Sequence, residues 1–358
     1  MMEERSKEAV GASSSGIPVI DLSAWEAYEE TRGAGDTGEL SKEAQDVVRQ
    51  VDHAVRHVGF MYLSRFTSPS LKEVEEMFRL STDFFSLPSS AKQRLAYPST
   101  EKNVGYISVA RERLNPDENR AGDLKEAFNT SHHSDMSSFW LQQQNEEEEE
   151  RKTGGEEDNK EREEQVEELK RMTKEFFERC EVLARKVLRI FALALGLERG
   201  DFFEDVLTEH RHTLRMLHYP PLTEEEATKA IAAGQTRAGE HDDYGCITLL
   251  FQDDVGGLQV RDANGNWMAA PCIPNTVLVN TGGLMQHWTN GKFKSTKHRV
   301  VIPEEPEQYG RDRYSIAFFV HPNDDTVIVP FPSCLDDSNS SSAITAGQYL
   351  AMRLKRSY

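Results

Sequence analysis

The sequence predicts an α+β protein with a mainly β core: two antiparallel sheets closed into a barrel or jelly roll, supported by N-terminal, central and C-terminal helices. Two observations carry this reading. Up to about residue 200, apolar residues recur at helical spacing in separate stretches. After residue 212 they fall instead into eight short β-rich runs divided by turn clusters. A chain of 358 residues can close such a core without disulfides or a structural metal.

Residues 1–15 are small and polar and are expected to be disordered. An N-terminal region spans 16–140 and opens on a strand-like run, Ile17–Leu22. Ala44, Val47, Val48, Val51, Ala54, Val55 and Val58 predict a helix over 41–57, ended by Gly59, and Phe60–Leu63 reads as a strand. Leu71, Val74, Met77, Phe78, Phe84 and Phe85 predict a second helix over 70–86, closed by Pro88. Residues 89–140 look less regular. The block 145–165 is a low-complexity acidic insert. From Glu146 to Glu164 it holds 11 acidic against 4 basic residues, which predicts a solvated loop or a frayed helix start. Val166, Leu169, Met172, Phe176, Cys180, Leu183, Val187 and Ile190 predict a scaffold helix over 166–200, punctuated by Gly196 and Gly200.

The β region occupies 210–335. Its runs are Thr213–Tyr219, Ile247–Gln252, Gly257–Arg261, Trp267–Ala269, Thr276–Asn280, His298–Ile302, Ser315–Val320 and Val327–Val329, with Asn264-Gly265 as a hairpin-type turn. A helical stretch over 343–358 ends the chain.

Composition narrows the function. The formal net charge is -19, from 42 Lys+Arg and 61 Asp+Glu. That argues against nucleic acid or an anionic membrane surface as the partner. No apolar run approaches the roughly 18 residues of a transmembrane helix, and the N-terminus lacks the hydrophobic stretch of a secretory signal. Cys180, Cys246, Cys272 and Cys334 show no CxxC spacing. They read as reduced thiols of a cytoplasmic chain.

One constellation carries chemistry. Glu240-His241-Asp242-Asp243-Tyr244-Gly245 precedes the run Ile247–Gln252. In extended backbone, residues two apart share a face, so His241 and Asp243 project together and Asp242 points away. One imidazole and one carboxylate are two of the three ligands of a 2-His-1-carboxylate site, which leaves positions open and suits non-haem Fe(II) and oxygen. His298, at the start of a strand downstream, is the best third ligand, with His287 as the alternative. A short His-x-Asp is weak by itself. Arg313-Tyr314-Ser315 strengthens it, because Arg313 and Ser315 share a face and together offer a fork and a hydroxyl to a carboxylate. Taken alone, Arg313 is more simply explained as half of a structural ion pair.

The ordered pieces resemble the isopenicillin N synthase-like branch of the Fe(II)/2-oxoglutarate-dependent dioxygenases. The resemblance runs from Ile17 to the C-terminus, apart from the acidic insert. It rests on Ile17–Leu22, Gly59–Leu63, Phe84–Pro88, Gly105-Tyr106, Asp123–Phe128, His241-Asp242-Asp243, Trp288–Val300 and Arg313–Phe319, in the family's order. It implies a double-stranded β-helix, with His241, Asp243 and His298 on Fe(II). It also implies that Arg313, Ser315 and Tyr219 sit on the distal carboxylate of 2-oxoglutarate. O2 would be the oxidant and ascorbate a candidate reductant. The implied reaction hydroxylates or desaturates a small organic metabolite and releases succinate and CO2.

Some positions depart from the family pattern. Leu217 stands where plant members often carry Asn, which removes a polar contact. Gly283 stands where Asp is usual, with an effect expected on loop packing only. Pro303–Arg311 looks like a turn insertion. Asp242 is expected to be solvated. Arg111, Arg113 and Phe128 are candidate substrate contacts, with surface or packing roles as the plainer explanation. The partner is a small molecule, and the protein is expected to be a monomer. Two other functions fit the same residues: an Fe(II) oxidase of the isopenicillin N synthase type that uses no 2-oxoglutarate, and a non-catalytic small-molecule receptor on this fold.

Overall fold

The computed structural model describes residues 16–31, 40–96, 104–114, 122–132, 156–335 and 343–357. Strand β1 (Val19–Asp21) pairs in parallel with β2 (Phe60–Ser64). Between them lie α1 (Ser23–Thr31) and α2 (Lys42–His57). Helix α2 buries Ala44, Val47, Val51, Ala54 and Val55, the stripe its spacing predicts, and Ser41 caps it by accepting from the Ala44 amide. Helix α3 (Leu71–Ser86) starts at Ser70, where Ser70 and Glu73 form a reciprocal capping box. A cap of this kind stabilises by about 1 kcal/mol.

Next come α4 (Ser89–Arg94), β3 (Gly105–Ile107) and β4 (Glu126–Ser131). The stretch that looked irregular therefore carries two strands. The pattern hid β4 because its polar residues Glu126, Asn129 and Thr130 are buried. Glu126 accepts from Lys92, Tyr106 and His218 inside the protein, so its charge does not mark a solvated face.

Helix α5 (Glu156–Ala194) runs for 39 residues. It begins inside the acidic block and not at 166, so the frayed-helix reading applies to the part from 156. Residues 145–155 and 1–15 lie outside the described residues. Phe176, Cys180, Leu183, Val187 and Ile190 of α5 are buried as expected.

The remaining elements are β5 (Thr213–Tyr219), α6 (Glu224–Ala232), β6 (Ala238–His241), β7 (Ile247–Gln252), β8 (Leu258–Arg261), β9 (Trp267–Ala269) and β10 (Thr276–Thr281). They are followed by α7 (Gly283–Trp288), β11 (His298–Val300), α8 (Pro306–Tyr309), β12 (Arg313–Val320), β13 (Val327–Ile328), β14 (Ile344–Thr345) and α9 (Ala346–Ser357). Strand β11 ends two residues before the expected Ile302. The insertion Pro303–Arg311 holds the short helix α8 and leaves β12 in register with β5.

The strands form a large sheet in the order β1-β2-β10-β7-β12-β5-β4-β3 and a small one in the order β6-β11-β8-β9. The outer face of the large sheet packs on α2, α3 and α5 through one apolar cluster that includes Val51, Phe84, Phe176, Leu183, Leu249 and Phe318. Its inner face and the small sheet enclose a second cluster, with Phe60, Leu217 and Ala317 from one side and Leu258, Val260 and Val300 from the other. Side chains alternate along each strand. The inward set is therefore what the two sheets present to each other, and the site lies among it.

Candidate functional site

His241 ends β6 and His298 opens β11, and the two are direct partners across these antiparallel strands. Their rings lie 4.2 Å apart between centroids. Asp243, two residues beyond β6, brings its Oδ1 to 3.8 Å from His298 Nε2. One ligand atom from each of the three residues falls within 4.8 Å of the others. Metal–ligand bonds of about 2.1 Å put donors no more than roughly 4.2 Å apart, so a small inward movement closes the set on an ion.

Hydrogen bonds aim all three. His241 Nδ1 lies 2.7 Å from the Gly239 carbonyl, and His298 Nδ1 lies 3.2 Å from that of Thr296. A carbonyl only accepts, so each Nδ1 carries the proton and each Nε2 keeps its lone pair for a metal. Asp243 Oδ2 accepts from Thr248 Oγ1 at 2.5 Å and from Asn280 Nδ2 at 2.7 Å. Its Oδ1 is left to face the histidines. Burial pushes the His241 pKa down, and neighbouring His298 pushes it further. Burial alone would raise that of Asp243, but His298, His241, Asn280 and Thr248 outweigh it and hold the carboxyl below its usual range. A neutral imidazole beside an ionised carboxylate is the state a divalent cation requires. His287, the alternative ligand, stands on α7 outside this group.

Along the large sheet, Tyr219, Leu217 and Arg215 of β5 face Arg313, Ser315 and Ala317 of β12 as cross-strand partners. At one end, Arg313 is fully buried and its guanidinium stands 4.5 Å from the Tyr219 ring centroid. Arg313 Nη2 donates to Gln252 Oε1 at 3.3 Å. Its Nε and Nη1 find no acceptor among the described residues. A buried guanidinium with unused donors fits an organic carboxylate. Gln252, also paired with Ser315 across β7–β12, supplies polarity that Leu217 does not.

The other end, about 13 Å along β5 at ~3.3 Å per residue, is charged. Arg215 donates to both oxygens of Glu112, and Lys125 to one of them. Burial would raise the Glu112 pKa, yet Arg215 and Lys125 together hold it far below the carboxylate range. Glu112, Lys125 and Arg215 line the same cavity as the three candidate ligands, together with Leu114, Tyr244, Phe319, Leu350 and Leu354.

For Arg111, Arg113 and Phe128 the plainer surface and packing roles hold, and one expectation, for Asp242, changes. Arg111 and Arg113 are exposed, while Glu112 and Leu114 between and beyond them line the cavity. Phe128 packs in the core against Phe84 at 4.6 Å. Asp242 is not simply solvated, because Arg353 of α9 pairs with it at 2.9 Å. Thr248, Asn280, Gln252, Glu112 and Arg215 were not singled out from the sequence, and Lys125 entered it only within the Asp123–Phe128 motif. Thr248 and Asn280 had no signal. Arg215 and Leu217 could have been found from Tyr219 by strand alternation.

Comparisons with known proteins give the family of the chain. Residues 210–322 match the family model of the 2OG-Fe(II) oxygenase superfamily. Residues 17–152 match that of the "non-haem dioxygenase in morphine synthesis N-terminal" region. The 2-oxoglutarate-Fe(II) type oxidoreductase ppzD of Metarhizium rileyi is 30% identical over 325 residues, covering 87% of this chain and 85% of the relative. The homoarginine-6-hydroxylase 2-ODD-C23 of Glycine max is 28% identical and covers 94% of each chain. The crystal structure of a full-length Neurospora crassa protein in complex with alpha-KG and thymine superposes with a TM-score of 0.78 at 31% identity, covering 98% of this chain and 100% of the other.

The chain belongs to the Fe(II)/2-oxoglutarate-dependent dioxygenases, in their isopenicillin N synthase-like branch. It is an oxidoreductase that uses Fe(II) and 2-oxoglutarate to oxidise a small organic molecule.

Proposed function

We propose that His241, Asp243 and His298 hold the Fe(II), and that Arg313, Ser315 and Tyr219 take the distal carboxylate of 2-oxoglutarate. We infer further that the substrate is a small polar nitrogen compound of nucleobase or amino-acid size. The observation that carries this is the order of groups along β5 and β12: an unsatisfied buried guanidinium at one end, a donor and acceptor cluster at the other, and the three candidate ligands lining the same cavity. The Neurospora crassa protein crystallised with thymine and the hydroxylase of homoarginine support the substrate size and polarity.

When bound, Fe(II) would supply the activation of O2, whose four-electron reduction is shared between oxidative decarboxylation of 2-oxoglutarate to succinate and CO2 and two-electron oxidation of a substrate C–H bond. The protein's part is positional. Thr248 and Asn280 fix one oxygen of Asp243, so the other keeps one direction. Gly239 and Thr296 set both tautomers. Arg313 and Ser315 hold the far end of the cosubstrate in one register. Glu112, Lys125 and Arg215 offer acceptors and donors to the polar edge of a substrate, and Phe319, Leu350 and Leu354 exclude water around its body. The net charge of -19 supports the absence of a nucleic-acid partner. Four unpaired cysteines support a reducing, cytoplasmic setting. A monomeric state is part of the same reading and is checked by light scattering.

Anaerobic absorption tests the assignment. Adding Fe(II) and then 2-oxoglutarate should produce the charge-transfer band of a chelated oxo acid, lost in His241→Ala and weakened in Arg313→Ala. An undiminished band in both variants refutes the site. Succinate release with nucleobases and basic or cyclic amino acids then tests the substrate class, and activity confined to large apolar metabolites refutes it.

A further inference from the structure

Apart from Asp243 and Arg313, which face the proposed iron and cosubstrate, the acidic and basic side chains lining the cavity are Glu112, Lys125, Arg215 and Asp242. Each is already met by an opposite charge of the protein. Arg215 Nη1 and Nη2 reach the two oxygens of Glu112 at 3.1 Å and 2.5 Å, and Lys125 donates to one of them. Lys125 has a second anion in Asp123, 3.8 Å away, whose own oxygens accept from the amides of Gly239 and Leu114. All four of these residues are buried. Two cations stand against two anions, so the cluster carries no net charge. Asp242 is balanced in the same way by Arg353 at 2.9 Å.

His321, one residue past β12, also lines the cavity, and its buried Nδ1 has no hydrogen-bond partner among the described residues. Burial lowers its pKa to about 4, so at neutral pH the ring offers a hydrogen bond and no charge. Leu114, Phe319, Leu350 and Leu354 add apolar wall. An ion entering this chamber gives up its hydration and finds only counter-charges that are already taken. A neutral polar molecule gives up less and still finds donors and acceptors in the same side chains.

We propose that the substrate carries no net charge. This rests on the reading of the substrate as a small polar nitrogen compound and narrows it. A neutral lactam or amide fits, as does a dipolar amino acid with an uncharged side chain. A basic amino acid or a base bearing a carboxylate does not. Glu112 and Lys125 set this preference, because removing either one leaves the cluster with a net charge.

The test is calorimetric binding of two matched pairs to the protein loaded with Mn(II) and 2-oxoglutarate. Orotate adds a carboxylate to uracil, and L-arginine carries a guanidinium where L-citrulline carries a neutral urea. In the wild type the uncharged member of a pair should bind roughly tenfold or more tightly than the charged one. Glu112→Gln leaves a net positive cluster and should shift the orotate-to-uracil ratio at least tenfold toward orotate. Lys125→Met leaves a net negative cluster and should shift the arginine-to-citrulline ratio toward arginine, so either variant suffices if the other does not fold. A wild type that prefers the charged member of either pair overturns the proposal, and so do ratios that neither variant moves. Binding of none of the four compounds, with a large apolar metabolite bound instead, overturns the substrate reading beneath it and the proposal with it.

Discussion

Arg353, on the last helix, donates to the carboxylate of Asp242 at 2.9 Å and so ties α9 to the residue between His241 and Asp243. Its guanidinium also lies 4.5 Å from the Tyr244 ring centroid and donates to Tyr349 Oη at 3.1 Å. Leu350 and Leu354 of the same helix line the cavity. The C-terminal helix is thus a wall of the cavity, fixed to the loop that carries two of the candidate ligands. Arg353→Ala should lower kcat/KM for the substrate by roughly three- to thirtyfold, since the pair is partly solvated. 2-Oxoglutarate binding should be unaffected. Steady-state kinetics with both compounds checks this, and a loss confined to 2-oxoglutarate would contradict it.

The same helix explains Gly283. A Cβ at this position would stand 2.2 Å from Tyr349 Oη. The missing side chain makes room for α9, so the departure from the family's aspartate has a packing reason. Gly283→Asp should push Tyr349 and its helix away and raise the KM for substrate severalfold. Limited proteolysis should then cleave the C-terminal segment faster than in the wild type, and unchanged cleavage argues against a displaced helix.

On the proposed assignment of Asp243 to iron, Thr248 and Asn280 act on the metal through its carboxylate. Thr248→Val and Asn280→Ala each free the oxygen that must stay turned from the metal. Each should weaken Fe(II) or Mn(II) binding by roughly ten- to a hundredfold. Metal titration under anaerobic conditions measures it, and wild-type affinity in both variants refutes the role.

Glu112 is buried between two cations, so its substitutions separate charge from shape. Glu112→Ala removes the buried carboxylate that Arg215 and Lys125 share and should cost about 3–5 kcal/mol of stability. Glu112→Gln keeps the shape and should mainly lose substrate turnover. Thermal melts beside succinate assays distinguish these effects, and full activity in Glu112→Gln removes this cluster from substrate recognition.

Histidines buried in the neutral state make the metal-free protein acid-sensitive above the carboxylate range. Burial lowers the His321 pKa to about 4 and takes that of His212 well below normal, and His241 is lowered as well. In the unfolded chain all three take up protons near pH ~6.5. The unfolded state thus binds more protons, and stability falls as pH drops from ~6.5 toward the folded values. Urea midpoints measured with chelator from pH ~8 to pH ~5 should decline below ~6.5, and His321→Gln should flatten the decline. A flat profile in the wild type contradicts neutral burial.

Most of the architecture was legible because it rests on periodicity. The stripe of α2, the extent of α3 and the runs that became β5, β7 and β9 follow from local spacing. Among the elements missed, β4 is one whose local signal is contradicted from outside. Strand β4 carries Glu126, whose charge is met by Lys92 from α4 and His218 from β5. Sequence position gives no hint of that neutralisation.

The sequence by itself determined the fold class and the donor set: the His-x-Asp spacing, a later histidine at a strand start and Arg-x-Ser on one strand face are one-dimensional patterns with a direct structural reading. The tertiary structure alone decided how those donors are aimed and what surrounds them. Register places His241 opposite His298, and Arg313 opposite Tyr219. Packing brings Asn280 onto Asp243 and Arg353 onto Asp242. Those contacts join residues far apart in the chain, and their energies exist only once the sheets have closed, so no local pattern could encode them.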